Sequence, residues 1–139
     1  MFVHRRTVRI EFGDCDPAGI VWYPRYFGLF DASTAHLFEA AGFKKSEMPQ
    51  RFGAIGYPMV DTRAKFHMPS RHGEDVVIES RVAEFRKSSF DVEHRIFKGE
   101  ALAVEGWETR VWVGKHPDDP EAIKSRPIPD AVIARMSAD

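Results

Sequence analysis

Apolar and polar side chains alternate loosely from Phe2 to Phe12, where Val3, Val8, Ile10 and Phe12 supply β-branched and aromatic character, and this period of two predicts a first strand. It ends at Gly13. The stretch from Gly13 to Pro24 carries Asp-Pro and Gly-Ile punctuation and reads as a folded loop, although Ile20, Val21 and Trp22 are apolar and call for a packing partner. From Tyr26 to Ala41 the period lengthens: Tyr26, Phe30, Leu37 and Ala41 fall on one side, and Phe27, Asp31, Thr34 and Phe38 on an adjacent one. So broad an apolar surface predicts a long, buried helix. Pro24 suits its first turn, where a missing N–H costs nothing, and Gly42 suits its end.

After a polar connection from Lys44 to Gly56 the pattern becomes extended. Strands are predicted over Tyr57 to His67, Asp75 to Phe85, Ser89 to Phe97 and Ala101 to Val113, with breaks at Arg71 to Glu74 and Lys98 to Glu100 and a bend at Arg86 to Ser88. One strand, one buried helix and four further strands describe an α+β domain in which a five-stranded antiparallel sheet wraps around one long central helix. The 139 residues suit a single domain. Beyond about residue 115, the proline-rich stretch from Pro117 to Pro129 reads as a tail laid over the surface. Such a sheet leaves edges and apolar surface that one subunit cannot cover, so oligomerisation is expected.

Charge narrows the function. Twenty basic side chains against twenty-one acidic ones give a net charge of −1, which offers no global field for nucleic acid or an anionic membrane. No apolar run approaches the ~20 residues of a membrane helix, and Met1 to Glu11 lacks the apolar core of a leader. The lone Cys15 excludes an intramolecular disulfide and a multi-cysteine zinc site, and fits a reducing compartment, with cytoplasm the default. His67 and His72 lack the facing spacing of a metal pair, while His36 and His94 have no evident ligand cluster, so no metal is expected. Trp107 and Trp112 sit in a predicted strand and read as core or subunit-contact residues.

The sharpest chemical signal is Phe12-Gly13-Asp14-Cys15-Asp16-Pro17-Ala18-Gly19-Ile20-Val21-Trp22-Tyr23-Pro24, a carboxylate in an apolar loop just ahead of a helix N-terminus. Unsatisfied N–H groups at that end can hold a carbonyl oxygen as negative charge develops, and a nearby carboxylate can attack the carbon or activate water. Taken alone, Asp16 before Pro17 is more readily an ordinary turn former. Asp14 is a rival carboxylate better suited to capping, and Cys15 suits packing better than acyl transfer.

This stretch resembles the signature of the 4-hydroxybenzoyl-CoA thioesterase family, whose Asp-Pro-Ala-Gly-Ile-Val-Trp-Tyr-Pro precedes the long helix of a hot-dog fold. The resemblance runs from Arg9 through Val113 and touches Phe30-Asp31-Ala32 and Glu84 to Phe90. It implies an acyl-CoA thioesterase in which Asp16 is nucleophile or general base and the Tyr23 backbone N–H contacts the thioester carbonyl. It further implies that Asp31 lines the acyl pocket, where it could receive a phenolic hydroxyl, with Trp22 also in contact with substrate. Arg86, Lys87 and Ser88 would meet the phosphates of coenzyme A, with Lys124 as an added contact. Coenzyme A is then part of the substrate and no separate cofactor is implied. Hot-dog proteins assemble as dimers and dimers of dimers, with sites between subunits. From residue type alone, Asp31 as a solvated helix residue and Arg86 and Lys87 as surface charge stay open. Two other functions use such a scaffold: a non-catalytic acyl-CoA binding protein, and a hydratase or dehydratase, which would bring a histidine to the carboxylate. No histidine lies in the Asp16 loop itself.

Overall fold

The computed structural model describes residues 1–139. Strand β1 is Val3–Arg9, β3 is Met59–Phe66, β4 is Asp75–Phe85, β5 is Ser89–Lys98 and β6 is Ala101–Val111. They form one antiparallel sheet in the order β1-β4-β5-β6-β3. Alternation fixes which face turns inward: Val76, Ile78 and Val82 of β4 and Phe90, Val92 and Ile96 of β5 are buried, at positions two or four apart. Against that face lies helix α1, Pro24–Ala40, whose Phe30, Leu37 and Phe38 are completely buried. The expected helix wrapped by five strands is therefore the architecture, that of the hot-dog fold.

One glycine makes the helix–sheet approach possible. A Cβ at Gly106 of β6 would come within 2.7 Å of the Phe30 Cζ, so only a residue without a side chain lets that ring lie against the sheet. The ring in turn stacks on the His94 imidazole of β5, with centroids 4.9 Å apart.

Two segments depart from expectation. The stretch after residue 115 is not merely a surface tail. Beyond the buried Trp112 the chain forms β7, Val113–Lys115, and returns as β8, Ile123–Ser125; together with β2, Ala54–Gly56, these make a second sheet in the order β2-β7-β8. Helix α3, Asp130–Ser137, then inserts Val132 and Met136 into the core beside Ile128. The spacing of Ile128, Val132 and Met136 is that of one helical stripe, masked in the sequence by the prolines that precede it. The polar connection from Lys44 to Gly56 is likewise structured: helix α2, Met48–Phe52, leads into β2 and buries Met48 and Ala54. Because Met136 is fully buried, Met136→Ala is expected to lower unfolding free energy by about 2–5 kcal/mol, read from the midpoint of urea denaturation.

Strand β3 closes one side of the main sheet with its outer edge unpaired, and most of its side chains are exposed, Val60 at 62%. No helix is long and apolar enough to cross a membrane.

Candidate active site at the Asp16 loop

The loop between β1 and α1 is built by short backbone bonds that its turn formers permit. Phe12–Asp14 makes one turn of 3₁₀ helix, capped when Asp14 accepts the Glu11 N–H at 2.9 Å, so Asp14 is the capping carboxylate. The chain then reverses: the Asp16 N–H donates to the Ile20 carbonyl, the Gly19 N–H to that of Asp16, and Gly19 adopts φ +81°, which glycine tolerates without strain. One Asp16 oxygen accepts the Ala18 N–H at 2.9 Å, an Asx turn that fixes the side chain and leaves its second oxygen free. Asp16 is half-buried.

The loop delivers the chain to the helix with one donor to spare. Pro24 has no N–H, while the Arg25 and Tyr26 N–H groups donate to Trp22 and Tyr23 carbonyls. The Tyr23 N–H, at the positive end of α1, takes no acceptor within the chain. Trp22 and Tyr23 are exposed, at 52% and 61%. Beside them an apolar cleft of about 320 Å³ is lined by Ile20, Val21, Tyr23, Tyr26, Phe66 and Met68.

Asp16 opens into a second cleft, about 420 Å³, whose other walls are Phe12, Cys15, Pro17, Gly19 and His72. That histidine was not legible beside the motif, because it comes from the turn between β3 and β4, more than fifty residues away in sequence. Backbone bonds bring it there: Ile10 N–H to Glu74 carbonyl at 2.8 Å, Gly73 N–H to Ile10 carbonyl at 2.9 Å, and Val21 N–H to Ser70 carbonyl at 2.9 Å. The absence of a histidine from the Asp16 loop therefore does not keep one out of the Asp16 cleft. Cys15 is half-buried and packs against the core, its thiol 3.7 Å from the Glu11 carbonyl oxygen.

Farther along α1, Asp31 borders a third cleft of about 440 Å³ with Lys45, Tyr57, Pro58, Met59 and Arg110. The partner it needs is Arg110, whose Nη2 donates to Asp31 Oδ1 at 2.7 Å. The same guanidinium donates to Glu108 at 2.8 Å and to the Tyr57 carbonyl at 3.1 Å. Glu108 is fully buried and also binds His94 Nε2 at 3.0 Å and the Thr34 hydroxyl; Ser80 Oγ lies 2.7 Å from the other imidazole nitrogen. The Tyr57 hydroxyl is buried without a hydrogen-bond partner, and burial raises its pKa, opposed by the Arg110 charge.

This buried array was missed from sequence. Its signal was phase: His94 shares the inward parity of Val92 and Ile96, and Glu108 and Arg110 share that of Val104, so ionisable residues stand where apolar ones belong. Burial alone would raise the Glu108 pKa, but hydrogen bonds from His94 and Arg110 and their charges override it and hold the carboxyl at about 2. Its folded pKa thus lies below its unfolded value of about 4.3, so the stabilisation is complete above that value and lost as pH falls toward 2. Glu108→Gln is accordingly expected to flatten the slope of stability against pH between about 4.5 and 2, measured by urea titrations at stepped pH, even as it lowers stability at pH 7.

The expected phosphate contacts lie at the β4–β5 turn. Arg86 is already committed, donating to Asp91 at 2.6 Å and Ser89 at 2.8 Å and pairing with Glu84 at 3.1 Å. Lys87 is exposed, Ser88 is half-buried, and the Lys87 carbonyl accepts the Ile128 N–H. Lys124 stands exposed on β8. Trp107 is half-buried with the Arg63 guanidinium 4.2 Å above its ring, whereas Trp112 is core.

A hot-dog sheet and helix carrying an acidic loop at the helix entrance define a class of small thioesterase-like domains. The chain belongs to the thioesterase-like superfamily, whose family model matches residues 10–136. It is 38% identical over 90 residues to a 4-hydroxybenzoyl-CoA thioesterase of Pseudomonas sp. (strain CBS-3), a match spanning 63% of this chain and 63% of that relative's length. A crystal structure of a mutant 4-hydroxybenzoyl CoA thioesterase complexed with 4-hydroxybenzoyl CoA superposes with a TM-score of 0.88 at 30% identity, covering 99% of this chain and 100% of that one. A gentisyl-coenzyme A thioesterase superposes with a TM-score of 0.82, also at 30% identity, over 97% of this chain and 100% of that one.

Proposed function

We propose that the chain hydrolyses an acyl-CoA thioester to the free acid and coenzyme A at the Asp16 loop. The observation that carries this is the unpaired Tyr23 N–H at the entrance of α1, served by the same short loop that fixes the Asp16 carboxylate. That N–H, backed by the helix dipole, holds the thioester oxygen as it gains charge, and the free Asp16 oxygen attacks the carbonyl carbon or deprotonates a water that does so. The thiolate of coenzyme A then leaves.

The acyl group is aromatic and bears a hydroxyl, as in 4-hydroxybenzoyl, and Asp31 accepts that hydroxyl; its anchoring by Arg110 supports this role. Trp22 flanks the acyl chain. Lys87, Ser88 and Lys124 meet the coenzyme A phosphates, and Arg86 joins them only by competing with Asp91. The reaction uses side chains and water, with coenzyme A part of the substrate and no further cofactor. Two subunits pair along the unpaired edge of β3, and two such dimers form a tetramer; the exposed edge strand supports the first step. The single cysteine fits a cytoplasmic protein.

A thiol-release assay across aromatic, branched and straight-chain acyl-CoAs tests the central claim. Release fastest with hydroxylated aromatic groups is the expected result. Binding without release would instead identify an acyl-CoA binding protein. His72 in the Asp16 cleft favours one second reading, hydration of an enoyl-CoA, and loss of the enoyl thioester absorbance without thiol release would establish it in place of hydrolysis.

A further inference from the structure

We infer that His72 is the base that activates water in the second half of the reaction, leaving Asp16 to act as the nucleophile in the first. This depends on the hydrolysis proposed above and adds a division of labour within one cleft.

Asp16 and His72 face the same space of about 420 Å³, yet they reach it from separate turns. The turn that bears His72 is bound to both flanks of the Asp16 loop. Ile10 and Gly73–Glu74 exchange two backbone hydrogen bonds on one side, Val21 donates to Ser70 on the other, and the Arg71 guanidinium reaches the Gly19 carbonyl at 3.5 Å. Within its own turn Glu74 accepts the Arg71 N–H at 2.7 Å, which fixes the backbone on either side of His72. The Phe12 ring meets the imidazole edge-on, with centroids 5.8 Å apart, and limits its orientations. These bonds hold the turn, and with it the backbone of His72, at the cleft wall, while the imidazole is exposed with the Phe12 ring at its edge. The charged and titratable groups around it are Asp16 and Cys15 across the cleft, Arg71 and Glu74 on its own turn, and Arg9 and Glu11 at the end of β1.

The chemistry needs two groups at two moments. Attack by an Asp16 oxygen on the thioester carbon forms a mixed anhydride and expels the coenzyme A thiolate, a leaving group that departs without a proton. Asp16 is then acylated and cannot serve as base for the water that must cleave the anhydride. His72 fills that place: an imidazole nitrogen takes one proton from the water as its oxygen bonds to the acyl carbon, the acyl–Asp16 bond breaks, and the Asp16 carboxylate is restored. The product acid ionises. One of the two protons ends on the coenzyme A thiol and the other passes to solvent, so thioester plus water gives carboxylate, thiol and one proton.

The test is rapid-mixing kinetics of the full chain with 4-hydroxybenzoyl-CoA. For His72→Gln, the expected result is a burst of thiol equal to the enzyme concentration, followed by steady turnover reduced ~100-fold, with acyl-Asp16 accumulating in quenched samples. For His72→Ala, added imidazole is expected to restore the slow phase alone, which a merely structural role would not produce. Unchanged turnover in both variants, or equal slowing of both phases, overturns the assignment while leaving hydrolysis at Asp16 in place. A wild-type chain that releases no thiol removes hydrolysis itself.

Discussion

Asp16→Asn is expected to lower kcat at least ~100-fold while leaving affinity for coenzyme A nearly unchanged, because a nucleophile or general base contributes ~10²–10⁴-fold and acts only as the bond breaks. The substitution keeps the shape of the side chain, and an amide oxygen can still accept the Ala18 N–H that holds the loop. The fold should therefore persist, and circular dichroism with a coenzyme A titration verifies that loss of rate is not loss of structure. Near-normal thiol release from this variant would remove Asp16 from the chemistry. Rapid quenching under single turnover then separates the two routes: acyl-Asp16 in the quenched protein marks the anhydride, and its absence throughout thiol release marks direct attack by water.

Arg110→Ala is the largest expected effect on stability. Arg110 is 3% exposed and neutralises Glu108, itself 1% exposed; removing the cation leaves a buried carboxylate with one charged partner fewer. Breaking one side of such a pair costs about 3–5 kcal/mol, which at roughly 2–8 °C per kcal/mol for domains near this size lowers Tm by on the order of 10 °C or more. The double change Arg110→Met with Glu108→Leu is expected to recover much of that loss, because no unpaired charge is left behind. Thermal melts of the three proteins decide the point: equal destabilisation of the single and double variants would mean that packing, not charge, governs the site. Because the same guanidinium anchors Asp31, Arg110→Ala is also expected to raise KM for hydroxylated aromatic thioesters more than for straight-chain ones.

The helix and the five long strands were legible because each runs long enough for its period to repeat, and because Gly42, His72-Gly73 and Lys98-Gly99 mark ends that the chain does use. The Asp16 loop was legible as a contiguous motif. What escaped notice lacked one of those two properties. Strands β7 and β8 are three residues each, too short for alternation to register, and α3 shows only two fully buried positions after a run of prolines. His94, Glu108 and Arg110 are scattered across two strands, and only their inward phase, at Val92–Ile96 and Val104–Gly106 parity, hinted that they meet. His72 was legible as part of a turn but not as a neighbour of Asp16, since its place there depends on main-chain bonds between segments that sequence keeps far apart.

Those main-chain bonds bear on how the site behaves in time. A loop bonded to its neighbours on both flanks is not hinged as a lid, so on the proposed function neither substrate entry nor product escape is expected to wait for it. Warming is then expected to end the proposed activity only when the sheet itself melts.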